Sequence, residues 1–299
     1  MKFVTFNDGT KEKIGILTND QTKVLEISSI LRNIPDNYSM TDFIAKSTDE
    51  DIMFLKENIN KENSSFVYHT IENIKIHAPI RKPIHDIICV GINYAEHLKE
   101  TQDNLKVSQS LEPSETVFFS KRSSNIIGSN ENIIGRFDLD TSLDYEVELA
   151  VIIGKTGKDI KREDAEKYIF GYSVFNDISS RNIQRAHAQW FKGKSLDTYS
   201  AMGPVIVSKD EISMPFELNV STTVNNEIRQ SSNTNQFISD IPKIISDLSA
   251  GMTLEAGDII ITGTPSGVAM AMRPQKFLQS GDIVICEIER IGKLVNKVQ

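Results

Sequence analysis

Leu143-Asp-Tyr-Glu-Val-Glu-Leu-Ala-Val-Ile-Ile153, followed at a short distance by Tyr172-Ser-Val-Phe-Asn-Asp177, is the stretch on which the fold turns. Its second half is apolar at every position, the pattern of a strand buried on both faces. Strand side chains alternate, so Glu146 and Glu148 share one face while Tyr145, Val147 and Leu149 take the other. Two such carboxylates could line the exposed side of an edge strand. The apolar run favours burial instead, and buried like charges need a cationic partner. A hard divalent metal supplies one, with Asp177 as a third oxygen ligand. No His or Cys stands at ligand spacing beside these acids. That disfavours zinc, favours Mg²⁺ or Mn²⁺ and admits Ca²⁺.

On either side the chain reads as a β-rich α+β protein. Strands are expected at 2–6, 14–17, 24–27, 87–90, 116–119, 147–153, 172–176, 204–208, 217–224, 258–262 and 282–288. Helical stretches are expected at 162–168, 180–188 and 239–248. The capping box Ser47-Thr-Asp-Glu50 predicts a further helix carrying Ile52, Leu55 and Ile59. Val224-Asn-Asn-Glu227 reads as a hairpin turn, since Asn tolerates positive φ. The prolines of His77-Ala-Pro-Ile-Arg-Lys-Pro83 punctuate a polar stretch. They suggest a small N-terminal α+β domain over 1–76 and a catalytic domain over 77–299.

Three more clusters carry chemistry. In Gly91-Ile-Asn-Tyr-Ala-Glu-His97-Leu-Lys-Glu100, helical spacing would let His97 meet Glu100, orienting a general base. A surface helix with solvated polar groups fits the same spacing. In Asp177-Ile-Ser-Ser-Arg181-Asn-Ile-Gln184 and Gly193-Lys194-Ser, the cations could hold an anionic substrate or a developing enolate. Surface ion pairing is the plainer use. Lys194 does not belong to a phosphate loop, because Ala188 stands where the leading glycine is required. In Ile261-Thr-Gly263-Thr264-Pro-Ser-Gly267, backbone N–H groups and the Thr264 hydroxyl could receive a carboxylate.

The bulk numbers exclude several classes. A net charge of -8 over 299 residues argues against a nucleic-acid partner, and no basic stretch suits a membrane surface. The opening Met-Lys-Phe-Val-Thr-Phe has no signal-peptide core. The two cysteines, Cys89 and Cys286, fall in strand-like runs that suit a reducing compartment, so a cytoplasmic protein is expected.

Taken in order, these segments resemble the fumarylacetoacetate hydrolase family over about 80–298, with Phe118-Phe-Ser-Lys121 and Gly193-Lys-Ser-Leu-Asp-Thr198 among the carrying motifs. The resemblance implies a mixed β-sandwich roll, usually a homodimer. Its activity would be cleavage of a C–C bond in a small 2-oxo acid through a metal-chelated enolate, by acylpyruvate hydrolysis or oxaloacetate decarboxylation. Glu146, Glu148 and Asp177 would hold the metal. His97 with Glu100 would activate water, Lys194 with Arg181 and Gln184 would steady enolate charge, and Thr264, Gly263 and Lys121 would contact substrate. Some members place an acidic ligand seven residues before the histidine, where this chain has Val90. The polar segment 101–115 would be a mobile lid. Alternatives are an isomerase or decarboxylase of 2-hydroxy-dienedioates and a non-catalytic binding protein on the same scaffold.

Overall fold

The fold is described from a computed structural model covering residues 1–31, 33–61, 63–105 and 115–299, with backbone alone over 101–105. The expected lid, 101–115, lies almost wholly outside the described side chains. Its first residues close a helix, Ala95–Leu105.

Val147–Ile153 is a strand buried along its whole length. It lies between Ile169–Asp177 and Ile259–Ile261, antiparallel to both. Val147, Leu149, Val151 and Ile153 enter one core, and Ala150 and Ile152 the other. This is the alternation read from the sequence, and it places Glu148 on the face of Ala150 and Ile152. The sheet continues through Ile87–Gly91, parallel to Ile259–Ile261, to an edge at Val117–Lys121. In the other direction it runs through Ser200–Ser208 to Lys2–Asn7, Glu12–Leu17, Lys23–Glu26 and Tyr68–Thr70.

The N-terminal strands therefore extend the same sheet as the rest of the chain: Lys2 pairs with Val207 and Phe3 with Ile206. A second, four-stranded sheet packs over one face, in the order Glu227–Asn233, Asn219–Val224, Ile283–Ile288, Gly292–Lys297. Val220, Val224, Val284 and Ile288 join the core that receives Tyr145 and Val147. Helix Ile241–Ser249 buries Ile241, Ile244, Ile245 and Leu248 into that core. Asp240 caps it, accepting the Lys243 N–H at 2.9 Å. Asn225 and Asn226, with φ of 49° and 67°, make the expected hairpin turn.

One cap is shifted from its expected place. The N-cap is Thr48, in a capping box with Asp51, and the helix runs Asp49–Asn58. A neighbouring helix, Met40–Lys46, is set by the same device in Ser39 and Asp42. In both, Asp serves where the expected pattern ends in Glu.

Candidate active site

Glu146 and Glu148 stand at the entry to the central strand, and Asp177 ends the strand beside it. All three are buried, and one ligand oxygen from each lies within 4.8 Å of the others. Chain direction explains the meeting: the two strands are antiparallel, so the start of one adjoins the end of the other. Phe175 is paired with Glu148, and Asn176 with Val147. The Asn176 side chain also accepts the Glu146 N–H at 3.1 Å.

Three cations are packed into this acidic floor. Lys194 Nζ donates to Glu146 at 2.6 Å and to Asp177 at 2.5 Å. Arg181 donates from Nη2 to Glu146 at 2.6 Å and from Nε to Asp144 at 2.8 Å. Lys121 donates to the other Asp177 oxygen at 2.5 Å. Burial pushes the Glu146 carboxyl up, but Arg181 and Lys194 outweigh it and hold it down at about 2. Burial acts against the charge of Lys194 as well, yet Asp177 and Glu146 keep it firmly protonated.

Glu148 is different. Its carboxylate accepts the Gly263 N–H at 2.6 Å. Burial, then Asp177 and Glu146, push its carboxyl well above the usual range. The donor set is all oxygen and buried, and one acid of the three lacks the cation that its neighbours have. A hard divalent ion suits that set.

Above the floor stands His97, its Nδ1 2.9 Å from Glu100 Oε2. The other Glu100 oxygen accepts the Gly267 N–H at 3.0 Å. The helix base is pinned by buried Asn93, whose side chain bonds Ser239 and the Thr262 carbonyl. His97, Glu146, Glu148, Arg181, Gln184, Lys194 and Thr264 line one cavity of about 430 Å³. Cations, base and acids thus face a common space.

Two of the residues expected to touch substrate do not face it. Lys121 is fully buried, with its amine committed to Asp177 and the Ile178 carbonyl, so it acts beneath the floor. Gly263 turns its N–H to Glu148, while Gly267 gives its N–H to Glu100. The carboxylates this turn receives are therefore the chain's own. Gly263 has φ of +93°, and a Cβ there would press on Asn93 at 2.8 Å. Thr264 does face the cavity, its hydroxyl accepting from Gln230 Nε2 at 2.8 Å.

Other site residues were missed from the sequence. Asp144 is fully buried and binds Arg181 together with the Ala269 and Met270 N–H groups. The Asp-x-Glu-x-Glu spacing of 144, 146 and 148 was a signal for it. Asp140 accepts from Ser142, Ser180, Asn182 and the Ile183 N–H, holding the start of helix Arg181–Ala186. Nothing in local spacing pointed to that role. Gly193 lets the next helix approach: a Cβ there would meet the Gln184 backbone at 2.6 Å.

Residues 86–299 match the family described as fumarylacetoacetate (FAA) hydrolase, C-terminal. The chain belongs to that family, and it is an enzyme acting on a small acid. It is 41% identical over 288 residues, 96% of this chain and 93% of the other, to the oxaloacetate tautomerase YisK of Bacillus subtilis (strain 168). A solved fumarylacetoacetate hydrolase (EaFAH) from psychrophilic Exiguobacterium antarcticum shares the fold. Its TM-score is 0.84 at 35% identity, covering 100% of this chain and 99% of that one. A maleylpyruvate hydrolase from Sphingobium sp. SYK-6, solved with manganese(II) and pyruvate, has a TM-score of 0.76 at 26% identity, covering 100% and 98%. Among the described residues no helix is long and apolar enough to cross a membrane.

Proposed function

We propose that this chain interconverts the enol and keto forms of oxaloacetate, a proton transfer at C3 of a four-carbon 2-oxo diacid. The observation that carries the reading is that His97 lines the same cavity as Glu146 and Glu148, two acids of the three-carboxylate floor. A proton carrier then faces the place where a 2-oxo acid headgroup would sit. The likeness to a Bacillus oxaloacetate tautomerase along nearly the whole chain supports the choice of substrate. Tautomerisation leaves the carbon skeleton intact, unlike the C–C cleavage expected from the sequence.

Glu146, Glu148 and Asp177 would hold Mg²⁺ or Mn²⁺. Such an ion would withdraw electrons from the 2-oxo group and so acidify C3. The chain's own residues do the rest. With Nδ1 donating to Glu100, His97 exchanges its proton at Nε2. In the enol-to-keto direction the imidazolium gives that proton to C3, and the enol oxygen releases its own to solvent. Lys194 uses two of its three ammonium protons on Glu146 and Asp177, leaving one for the substrate oxygen. Thr264 and Gln184 line the same cavity and supply polar groups to orient the headgroup.

Hydrolysis of a 2,4-dioxo acid is a second reading, because the same His97–Glu100 pair has the geometry to activate water. Proton NMR in D₂O with Mg²⁺ separates the two. The proposal expects loss of the C3 proton signal of oxaloacetate faster than in the blank, with pyruvate forming no faster than in the blank. Acetate released from acetylpyruvate would favour hydrolysis. Pyruvate appearing as fast as C3 exchanges would favour decarboxylation, and either result would overturn the proposal.

A further inference from the structure

We infer that Arg185 reads the second carboxylate of a diacid substrate and so selects diacids over monoacids at this site. The inference rests on the cavity holding a 2-oxo acid headgroup, as proposed above. Arg181 and Arg185 lie four residues apart on helix Arg181–Ala186, hence on one face and about 6 Å apart along the axis. Their surroundings differ sharply. Arg181 is buried and its guanidinium is used up by Asp144, Glu146 and Gln184. Arg185 lines the same cavity one turn further out, is exposed, and among the described residues its side chain meets no hydrogen-bond or ion-pair partner.

The other charged groups of the wall are committed. Lys194 and Glu146 bind each other, His97 binds Glu100, Glu148 takes the Gly263 N–H, and Arg273 donates to the carbonyls of Met270, Ala271 and Met272. Val268, Met270 and Ala271 add apolar surface to the same lining. A diacid with its 2-oxo acid head on the carboxylate floor projects its far carboxylate away from that floor, toward the mouth. The guanidinium at that mouth is planar and presents a fork that matches a carboxylate with two parallel N–H bonds. A monoacid offers it nothing. Arg181 steadies the floor beneath the head through Glu146, and Arg185 reads the tail.

The test is calorimetric titration, with Mg²⁺ present, of oxalate and of 3,3-difluoro-oxaloacetate, which has no C3 proton to transfer. Oxalate probes the headgroup site alone and the difluoro diacid probes both ends. Arg185→Gln is expected to weaken the difluoro diacid roughly 10- to 100-fold, the worth of a charge-assisted hydrogen bond, and to leave oxalate unchanged. Arg185→Lys should fall between. For oxaloacetate turnover the KM should rise while kcat is retained. The inference is overturned if Arg185→Gln weakens both probes alike or neither. That result leaves the 2-oxo acid reading standing. If the unmodified protein binds neither probe, the 2-oxo acid reading fails and takes this inference with it.

Discussion

At the residue scale, the three carboxylates of the floor are not equivalent. Glu146 is neutralised by Arg181 and Lys194, whereas Glu148 has a backbone N–H and two like charges. Stability and activity should therefore respond differently to the same change. Glu146→Gln takes one of two carboxylate partners from each of the buried cations Arg181 and Lys194, leaving Asp144 and Asp177, and is expected to cost about 3 kcal/mol in the metal-free protein. Glu148→Gln removes an uncompensated charge, keeps an oxygen for Gly263, and should cost under about 1 kcal/mol or stabilise. Both variants should lose activity. Urea melts with metal chelated would show it, and equal destabilisation by the two would refute this charge assignment.

The same scale shows what the sequence could convey about the site. Glu146, Glu148, Asp177, His97 and Lys194 were legible because each sits in a short patterned segment. Asp144 and Asp140 were not, because the partners that tie them to the site, Arg181 and Ser180, lie 37 and 40 residues away. Lys121 and Gly263 were placed at the substrate for the same reason. A linear motif shows that a group is present but not which neighbour will use it.

At the element scale, helix Arg181–Ala186 places Arg181 and Arg185 along the cavity, yet it is too short to be stable through its own hydrogen bonds. Asp140 supplies the missing anchor. Burial raises its carboxyl, but hydrogen bonds from Ser142 and Ser180 outweigh that and hold it at about 2, against an ordinary 3.8. A depressed carboxyl contributes stability that is present above its unfolded value and lost as pH falls through the folded one. The stability gap between the unmodified protein and Asp140→Asn should be roughly 2 kcal/mol near neutral pH. It should close between pH 4 and pH 2. A gap independent of pH over that window would show that the charge of Asp140 is not what holds the helix.

Elements were legible where their burial is written in their own residues. Val147–Ile153 is the clearest case, and helix Ile241–Ser249 follows from its isoleucine and leucine spacing. Glu227–Asn233 and Gly292–Lys297 were not read as strands, because their sequences are largely polar. Pairing with Asn219–Val224 and Ile283–Ile288 fixes them instead. Glu227–Asn233 matters to the site, since it delivers buried Gln230 to Val147 and Thr264.

At the scale of the whole molecule, one sheet runs from the N-terminal strands to the strand before His97. Sequence reasoning could not see that continuity, because sheet order depends on long-range pairings such as Phe3 with Ile206. The acidic floor lies within this sheet, between two cores. Cation binding there should therefore stabilise the entire fold. At one hundred times its dissociation constant a ligand adds about 2.7 kcal/mol. Mn²⁺ is expected to raise the melting temperature, chelation to reverse the rise, and Glu148→Ala to abolish it. Trp190, the only tryptophan, lines the cavity against Phe119, so its fluorescence should change when oxalate is added with the ion. An unchanged melting temperature with Mn²⁺ would argue against a metal site.

The central claim is that the His97 pair and the carboxylate floor act together on the C3 proton of oxaloacetate. Its most direct test is the decay of the enol absorbance of freshly dissolved oxaloacetate, with Mg²⁺, in the presence of the unmodified protein, His97→Gln and Glu148→Ala. The account predicts that the unmodified protein accelerates the decay and that each variant loses about 100-fold or more of that acceleration. Decay at the blank rate with the unmodified protein, or at full rate with either variant, would contradict it.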